Sequence, residues 1–363
     1  MIGSSAMKKF TVFILIFFAI AAIFCGCGKD KKSSSGKDDD EPQLTSSARN
    51  ASVNNLKQIS SAIMMYSDGF DGYLPAAPGL LPYFGYTDTK EFLAPWDEES
   101  VKAEYSYESF SKLTGAESII RSQHLITPLN TSYVWLVPPN MKFSQLSDPS
   151  TPFVFEKPWL FPRETDKIAV AYANGIVKTK KIPGASEMSC YRITEKLTEN
   201  ITDQELRKKL LKRAEYEDYC HKTADSVNFI LVKYECSSCG DYSSHDFPEY
   251  MEHVETENGK TVVRRYIMEA APAMTVTGFK KVETGKDEIT GNCLINLKFN
   301  DQDAETFARF TRNNTGRQMA IVIGGKIYCA PRIIQEITNG SACISGTFSK
   351  AEAEKIVSRL NKR

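Results

Sequence analysis

Between residues 293 and 360 the spacing of apolar residues switches repeatedly between the period of a strand and that of a helix, and each switch falls on residues suited to end or start an element. Cys293, Ile295, Leu297 and Phe299 alternate with polar or outward-placed neighbours, which predicts a half-buried strand. Asn300 and Asp301 then offer side-chain oxygens for a helix N-cap. Ala304, Phe307, Ala308 and Thr311 recur at helical spacing until Asn314 and Gly316 supply a stop. Residues 319–323 are apolar and β-branched, Gly324-Gly325 suits a two-residue hairpin turn that needs positive φ, and residues 326–329 return. Pro331 has no N–H to give to a ladder, so the returning strand should end or lie at an edge there. Ser349 and Glu352 make the pattern of a capping box ahead of an apolar stripe of Ala353, Ile356, Val357 and Leu360. This order of signals predicts an α+β fold in which both helices cover one face of a sheet.

The same stretches carry a resemblance. Residues 292–300, 304–308 and 311–323, then Ala330-Pro331-Arg332-Ile333 and residues 344–353, resemble in order and spacing the head of the first periplasmic (P1) domain of SecD, the accessory subunit of the bacterial Sec translocase. The resemblance runs from about residue 266 to 363. Where the family usually has Asp-Gly in the hairpin turn, this chain has Gly324-Gly325, which keeps the turn chemistry and removes the carboxylate. The resemblance implies a module that contacts emerging polypeptide. The expected contact surface is the strand-and-turn region around Arg317, Lys326, Tyr328 and Arg332, with charged and aromatic side chains facing outward. SecD couples its periplasmic domain to a bundle of membrane helices that uses the proton gradient. No such bundle is read in this sequence, so no proton-driven transport is expected of it.

At the other end, Lys8 and Lys9 precede an uncharged apolar run over residues 10–25, with the length and flank of a secretory signal and short for a comfortable membrane span. Phe24-Cys25-Gly26-Cys27 resembles a bacterial lipobox. That implies a signal peptide over 1–26 and a lipid on Cys27, against the alternatives of an ordinary cleaved signal or an uncleaved anchor. Residues 27–47 are rich in Lys, Ser, Gly and Asp and cannot bury enough apolar surface to offset their ordering entropy, so a disordered tether is expected. Such an anchor holds the folded domains on the periplasmic or extracellular side of a membrane. The chain has 45 Lys plus Arg and 45 Asp plus Glu, and no basic stripe interleaved with aromatics, which argues against nucleic acid as a partner.

Residues 51–66 predict a helix with Leu56, Ile59, Ile63 and Tyr66 on its buried face, broken sharply by Asp68-Gly69-Phe70-Asp71-Gly72-Tyr73-Leu74-Pro75. Asp68 and Asp71 lack the further oxygen ligands of a calcium loop, so a helix-ending turn is expected. Together with Asn55-Leu56-Lys57-Gln58-Ile59, Met65-Tyr66-Ser67-Asp68 and the apolar run at 168–177, this region resembles pseudopilin-like proteins of the type II secretion class that end in a His-x9-Asp-Gly region. The resemblance implies a pilin-like helix-plus-sheet domain over 48–185. Asn174 and Ile176 stand where that family has Asp and His. Phe10 follows Lys9 rather than Gly, and Ile14 stands where assembly needs Glu, so filament formation is not expected.

Residues 186–265 read as a connecting segment. A charge-rich helix is expected over 192–216, with Leu206, Leu210, Leu211 and Ala214 as its stripe and solvated charges elsewhere, then a strand over 229–234. Cys236-Ser237-Ser238-Cys239-Gly240 has the shape of half a zinc ribbon. Cys190, Cys220, His221, His245 and His253 do not form a properly spaced second pair. Disulfide, free thiols, zinc and redox use stay open for Cys236 and Cys239. Of nine Cys, loss of Cys25 and lipidation of Cys27 leave an odd number. No Gly-x-Ser-x-Gly elbow, Walker loop or His-Glu-x-x-His is present, and His124, in an Ile/Leu context, is expected to be packed. The sequence therefore predicts a non-enzymatic envelope lipoprotein whose C-terminal module binds extended polypeptide or an envelope partner in protein export. The alternatives are a structural or assembly protein related to pseudopilins, and a zinc or redox protein centred on Cys236 and Cys239. Zinc is the one cofactor weighed.

Overall fold

The first helix starts at a threonine. In a computed structural model that describes residues 45–97, 118–162, 164–236, 250–257, 260–288, 291–346 and 349–362, Thr45 Oγ1 accepts from Ala48 N at 3.1 Å and opens α1 (Ser46–Gly69). This helix begins inside the stretch expected to be tether and runs past residue 66. Leu56, Ile59, Ile63 and Tyr66 lie on its buried face, as the spacing predicts. It ends in the expected turn, where Asp71 (φ 52°) and Gly72 (φ 83°) take the left-handed conformation.

Among the described residues two short α-helices follow, α2 (Leu80–Tyr83) and α3 (Ser118–Gln123). The strands β1 (Tyr133–Trp135), β2 (Pro152–Glu156), β3 (Lys167–Tyr172) and β4 (Val177–Lys181) then form an antiparallel four-stranded sheet in sequence order. Glu156 ties α1 to this sheet. Its Oε1 accepts from Ser52 Oγ at 2.7 Å, and its Oε2 accepts from Ala169 N at 2.5 Å and lies 3.1 Å from Arg49 Nη2. Residues 168–172 of β3 are buried throughout, because helices cover the sheet beyond α1 as well.

Those helices are α4 (Cys190–Leu197) and α5 (Gln204–Lys222). The single helix expected over 192–216 is broken between them. Thr198 Oγ1 turns back to Thr194 O at 2.7 Å, Ile201 drops into the core, and Asp203 Oδ1 caps the new helix by accepting from Leu206 N at 2.9 Å. Asp218 of α5 in turn accepts from Cys190 N and Tyr191 N at 2.6 and 2.9 Å, capping α4. Leu206, Leu210 and Ala214 join the core of α1 and the first sheet. The remaining faces of α5 are not all solvated. Arg213, expected among the surface charges, is buried, and so is Glu217 just beyond the expected end of the helix, because this helix is packed on more than one side.

The chain then enters β5 (Val227–Cys236), β6 (Tyr250–Glu257), β7 (Lys260–Met268), β8 (Met274–Val276), β9 (Phe279–Lys286) and β10 (Cys293–Phe299). After α6 (Asp301–Asn313) come β11 (Met319–Ile323), β12 (Lys326–Cys329), β13 (Ser341–Ser345) and α7 (Lys350–Leu360). The caps are as expected: Asn300 Oδ1 accepts from Asp303 N at 2.8 Å and Ser349 Oγ from Glu352 N at 3.1 Å. β12 ends before Pro331, whose carbonyl still accepts from Met319 N at 2.9 Å.

The strands do not share one sheet, as the sequence pattern suggested. β10 lies between β9 and β13, whereas β11 lies between β12 and β5 in a larger sheet ordered β12-β11-β5-β7-β6, with β8 also on β5. Alternation fixes which face of a strand is buried but not its neighbour. Val227, Phe229 and Leu231 of β5 and Met319, Ile321 and Ile323 of β11 point into a core shared with β10, α6 and α7. Ile230, Val232, Ala320 and Val322 point the other way, into a second core with Met251, Tyr266 and Met268. Burial on both faces explains the unbroken apolar runs. The larger sheet curls so that β6 approaches β12, where His253 Nδ1 lies 3.0 Å from Ile327 O. Residues 186–265 are thus shared between the two halves: α4 and α5 pack with the first sheet, and β5 to β7 build the second. The described residues belong to one compact unit.

Candidate functional site

The β11–β12 hairpin turns through Gly324 (φ 54°) and Gly325 (φ 78°), the conformation its sequence predicts. Gly325 also lies against α5, where a Cβ would stand 2.3 Å from Cys220 Sγ. Next to it, Lys326 Nζ donates to Glu352 Oε1 of α7 at 2.6 Å and lies 5.0 Å above the Tyr328 ring. Tyr328 Oη is 3.4 Å from the same carboxylate oxygen. Tyr328 does not face outward as expected. It is 9 % exposed because its ring belongs to the core under α7, and burial pushes its phenol up to about 12.

Arg317 and Arg332 occupy the opposite end of the hairpin, where residues 318 and 332 form an isolated bridge. Arg317 Nη2 is 2.5 Å from Glu269 Oε1, and Arg332 Nη1 donates to Gly316 O at 2.6 Å. Five strand residues at about 3.3 Å each place them roughly 16 Å from the turn. The structure therefore brings together Lys326 with Tyr328, and Arg317 with Arg332, but not the two pairs with each other.

β13 is a terminal strand of its sheet. Its sequence is Ser-Ala-Cys-Ile-Ser; Ile344 is buried, and Cys343 and Ser345 are exposed. Of the cysteines, Cys236 ends β5, while Cys27 and Cys239 lie outside the described residues. Cys190 and Cys220 are buried free thiols whose pKa values burial raises. Among the described residues no three His, Cys, Asp or Glu side chains gather as a metal site would require.

The turn end of the hairpin faces a cleft. A cavity of about 330 Å³ lies between residues 76–78 and 124–131, α5, β6 and the hairpin turn. A second of about 320 Å³ continues toward the N-terminus of α7, and both are lined by His124, Thr127, Tyr216 and Lys326. His124 is therefore not packed in apolar surroundings; its Nε2 lies 3.6 Å from Glu252 Oε2, with the side chain 36 % exposed. Behind the first cavity lies a buried charged cluster. Lys157 Nζ donates to Pro128 O and Thr131 O at 2.5 and 2.8 Å, and Glu217 Oε1 accepts from Trp135 N at 3.4 Å. Burial lowers the pKa of Lys157 and raises that of Glu217, each opposed by the charge of the other. Sequence reasoning missed this cluster. Its members come from four separate segments with no shared motif, and the one available signal was a pair of opposite charges four residues apart on α5.

These features define a class: an α+β module of two antiparallel sheets and two helices, docked through a hairpin turn on a separate helix-and-sheet half. Residues 250–362 match the family described as "SecDF, P1 head subdomain". The match begins at β6, earlier than the sequence motifs indicated, and leaves β5 outside. The SecD subunit of the protein translocase of Acidaminococcus fermentans is 36 % identical over 99 residues, covering 27 % of this chain and 24 % of that protein. The SecD subunit of Leptotrichia buccalis is 37 % identical over 84 residues, covering 23 % of this chain and 20 % of that protein. A solved structure of SecDF, described as a membrane component that enhances protein export, is 22 % identical and covers 44 % of this chain and 70 % of that one, with a TM-score of 0.28. The chain thus carries a SecDF P1-head-like module and spans about a quarter or less of the length of these SecD relatives. Among the described residues no helix is long and apolar enough to cross a membrane.

Proposed function

We propose that this chain is a non-enzymatic envelope lipoprotein, anchored through Cys27, whose C-terminal module binds extended polypeptide in protein export. The observation that carries this reading is the match of residues 250–362 to the SecDF P1 head. Extended chains are bound at open strand edges, where main-chain hydrogen bonds supply affinity. β13 suits this best. It pairs with β10 on one side, has no hydrogen-bonded strand on the other among the described residues although β12 lies nearby, and carries neither charge nor proline. β4, the last strand of the first sheet, instead carries Lys178, Lys180 and Lys181, the kind of side chain that blunts pairing. Arg317 and Lys326, already held in ion pairs, serve this reading as rim charges that steer encounter rather than as anchors.

The test places a photoreactive amino acid at Cys343 and, separately, at Lys180, and adds an unfolded reporter polypeptide. Saturable crosslinking at least tenfold stronger from position 343 is expected. Equal yields, or none from 343, remove the reading.

A second reading, a structural or assembly role related to pseudopilins, draws on α1, whose 24 residues precede a four-stranded antiparallel sheet. Crosslinking in cells separates the two: Sec components or exported chains support the first, and pilin-like secretion proteins the second.

A further inference from the structure

The second cavity is walled by more positive than negative charge. The spacing on α7 brings this about. Glu352, Lys355, Ile356 and Arg359 fall at i, i+3, i+4 and i+7, hence on one face of the helix, and all four line the space. Lys326 of β12 adds a further cation. Glu352 is the one acidic side chain on these walls among the described residues, and Lys326 Nζ already meets it at 2.6 Å. Lys326, Lys355 and Arg359 therefore stand against a single carboxylate. A cleft walled mainly by one sign of charge concentrates ions of the other.

The donors here are open to solvent. Lys326 keeps 43 % of its side chain exposed, and its ammonium has protons beyond the one given to Glu352. Arg359 is half-buried. Its Nη2 donates to Leu129 O at 3.3 Å, and both residues line the cavity, so the guanidinium stands between two of its walls. The Nε and Nη1 groups make no hydrogen bond among the described residues and remain within reach of water. A guanidinium presents a planar fork that fits two oxygens at once. Leu125, Leu129, Ile323 and Ile356 supply apolar wall, which suits a carbon stem and opposes a dianion whose remaining oxygens need water.

We propose that this cavity binds a monocarboxylate on a short apolar stem, its oxygens accepting from Arg359 and Lys326 and its stem lying against the aliphatic wall. The carboxylate comes either from a small free acid or from an Asp or Glu side chain of a polypeptide. Residues 124–130 and Tyr216 wall one side, and the β11–β12 hairpin and α7 the other, so the occupant bridges the two halves of the protein. No residue of β13 lines the cavity, so the assignment stands whether or not β13 binds extended chains.

Calorimetric titration of the full-length protein in neutral detergent tests the proposal. The probes are butyrate and N-acetylglutamate N-methylamide, with butyramide, butylammonium and inorganic phosphate as counterparts. Saturable binding of at least one carboxylate is expected, with all three counterparts at least tenfold weaker. Butyrate binding assigns a free acid as a sufficient ligand, and binding of the capped glutamate alone assigns a polypeptide side chain. Absence of carboxylate binding, or a counterpart that binds as tightly, overturns the proposal. Arg359→Gln removes the charge and the fork, and should weaken the carboxylate at least tenfold. Ala351→Glu, at the half-buried start of α7 where an acidic residue suits the helix, should weaken it as strongly by placing a second carboxylate on the wall. This second variant decides the matter should the first fail to fold. Unchanged affinity in either folded variant also overturns the assignment.

Discussion

His221 shows how one residue couples burial to acid stability. Its ring stands edge-on to Trp159 at 5.4 Å between centroids, and burial, reinforced by the charges of Lys157 and Arg359, lowers its pKa from 6.5 to about 3. The unfolded chain therefore takes up the proton first as pH falls. The stability His221 contributes is present above about pH 6.5 and is lost as pH drops from there toward 3, at up to about 1.4 kcal/mol per pH unit. His221→Phe keeps the ring contact and removes the titration, so its melting temperature should fall less steeply than the parent's between pH 6 and 4. Glu156 and Glu217, whose pKa values are raised, act with the opposite sign but are common to both proteins and cancel in the comparison. Parallel acid limbs would show that His221 does not carry the effect. None of this was legible in the sequence, where His221, Arg213 and Glu217 look like the other polar residues of a charge-rich helix. Their burial is decided by what packs on that helix from distant segments.

Elements were more legible than their neighbours. Asn300 and Ser349 cap the helices the sequence assigns to them, and Gly324-Gly325 makes the turn it predicts, because caps and turns are set by chemistry within a few residues. The pairing of β11 with β5 rather than β10 was not legible, since both partners are apolar and alternating. Nor was the contact of the turn with α5. At Gly325 a Cβ would stand 2.3 Å from Cys220 Sγ and 3.4 Å from Tyr216 Cε2, in addition to the strain of a positive φ. Gly325→Ala should destabilise by about 3 kcal/mol, the left-handed backbone contributing roughly 1–2 of it and the clash the remainder. Cys220→Ala removes the clashing sulfur, so the double variant should recover more than the sum of the singles allows, while the backbone cost remains. Additive effects would mean that the turn does not press on the helix.

At the scale of the whole molecule the question is whether the two halves unfold as one. The sequence divides them by two separate resemblances, yet α4 and α5 finish the first core, β5 builds the second, and the hairpin turn closes the contact between them. Tryptophan fluorescence isolates the first half, because Trp96, Trp135 and Trp159 all lie there, whereas circular dichroism reports both. In urea the two signals should trace a single coincident transition, as cooperative unfolding of one compact unit requires. The sharper comparison uses Gly325→Ala. This change lies in the SecDF P1-head-like module, so independent halves would leave the tryptophan midpoint unmoved while the dichroism transition splits. Coupled halves would move both midpoints down together, by about 1–2 M urea for a 3 kcal/mol loss at a slope of about 1.5–3 kcal/mol/M. A common shift would establish that the head module and the first half share one folding equilibrium.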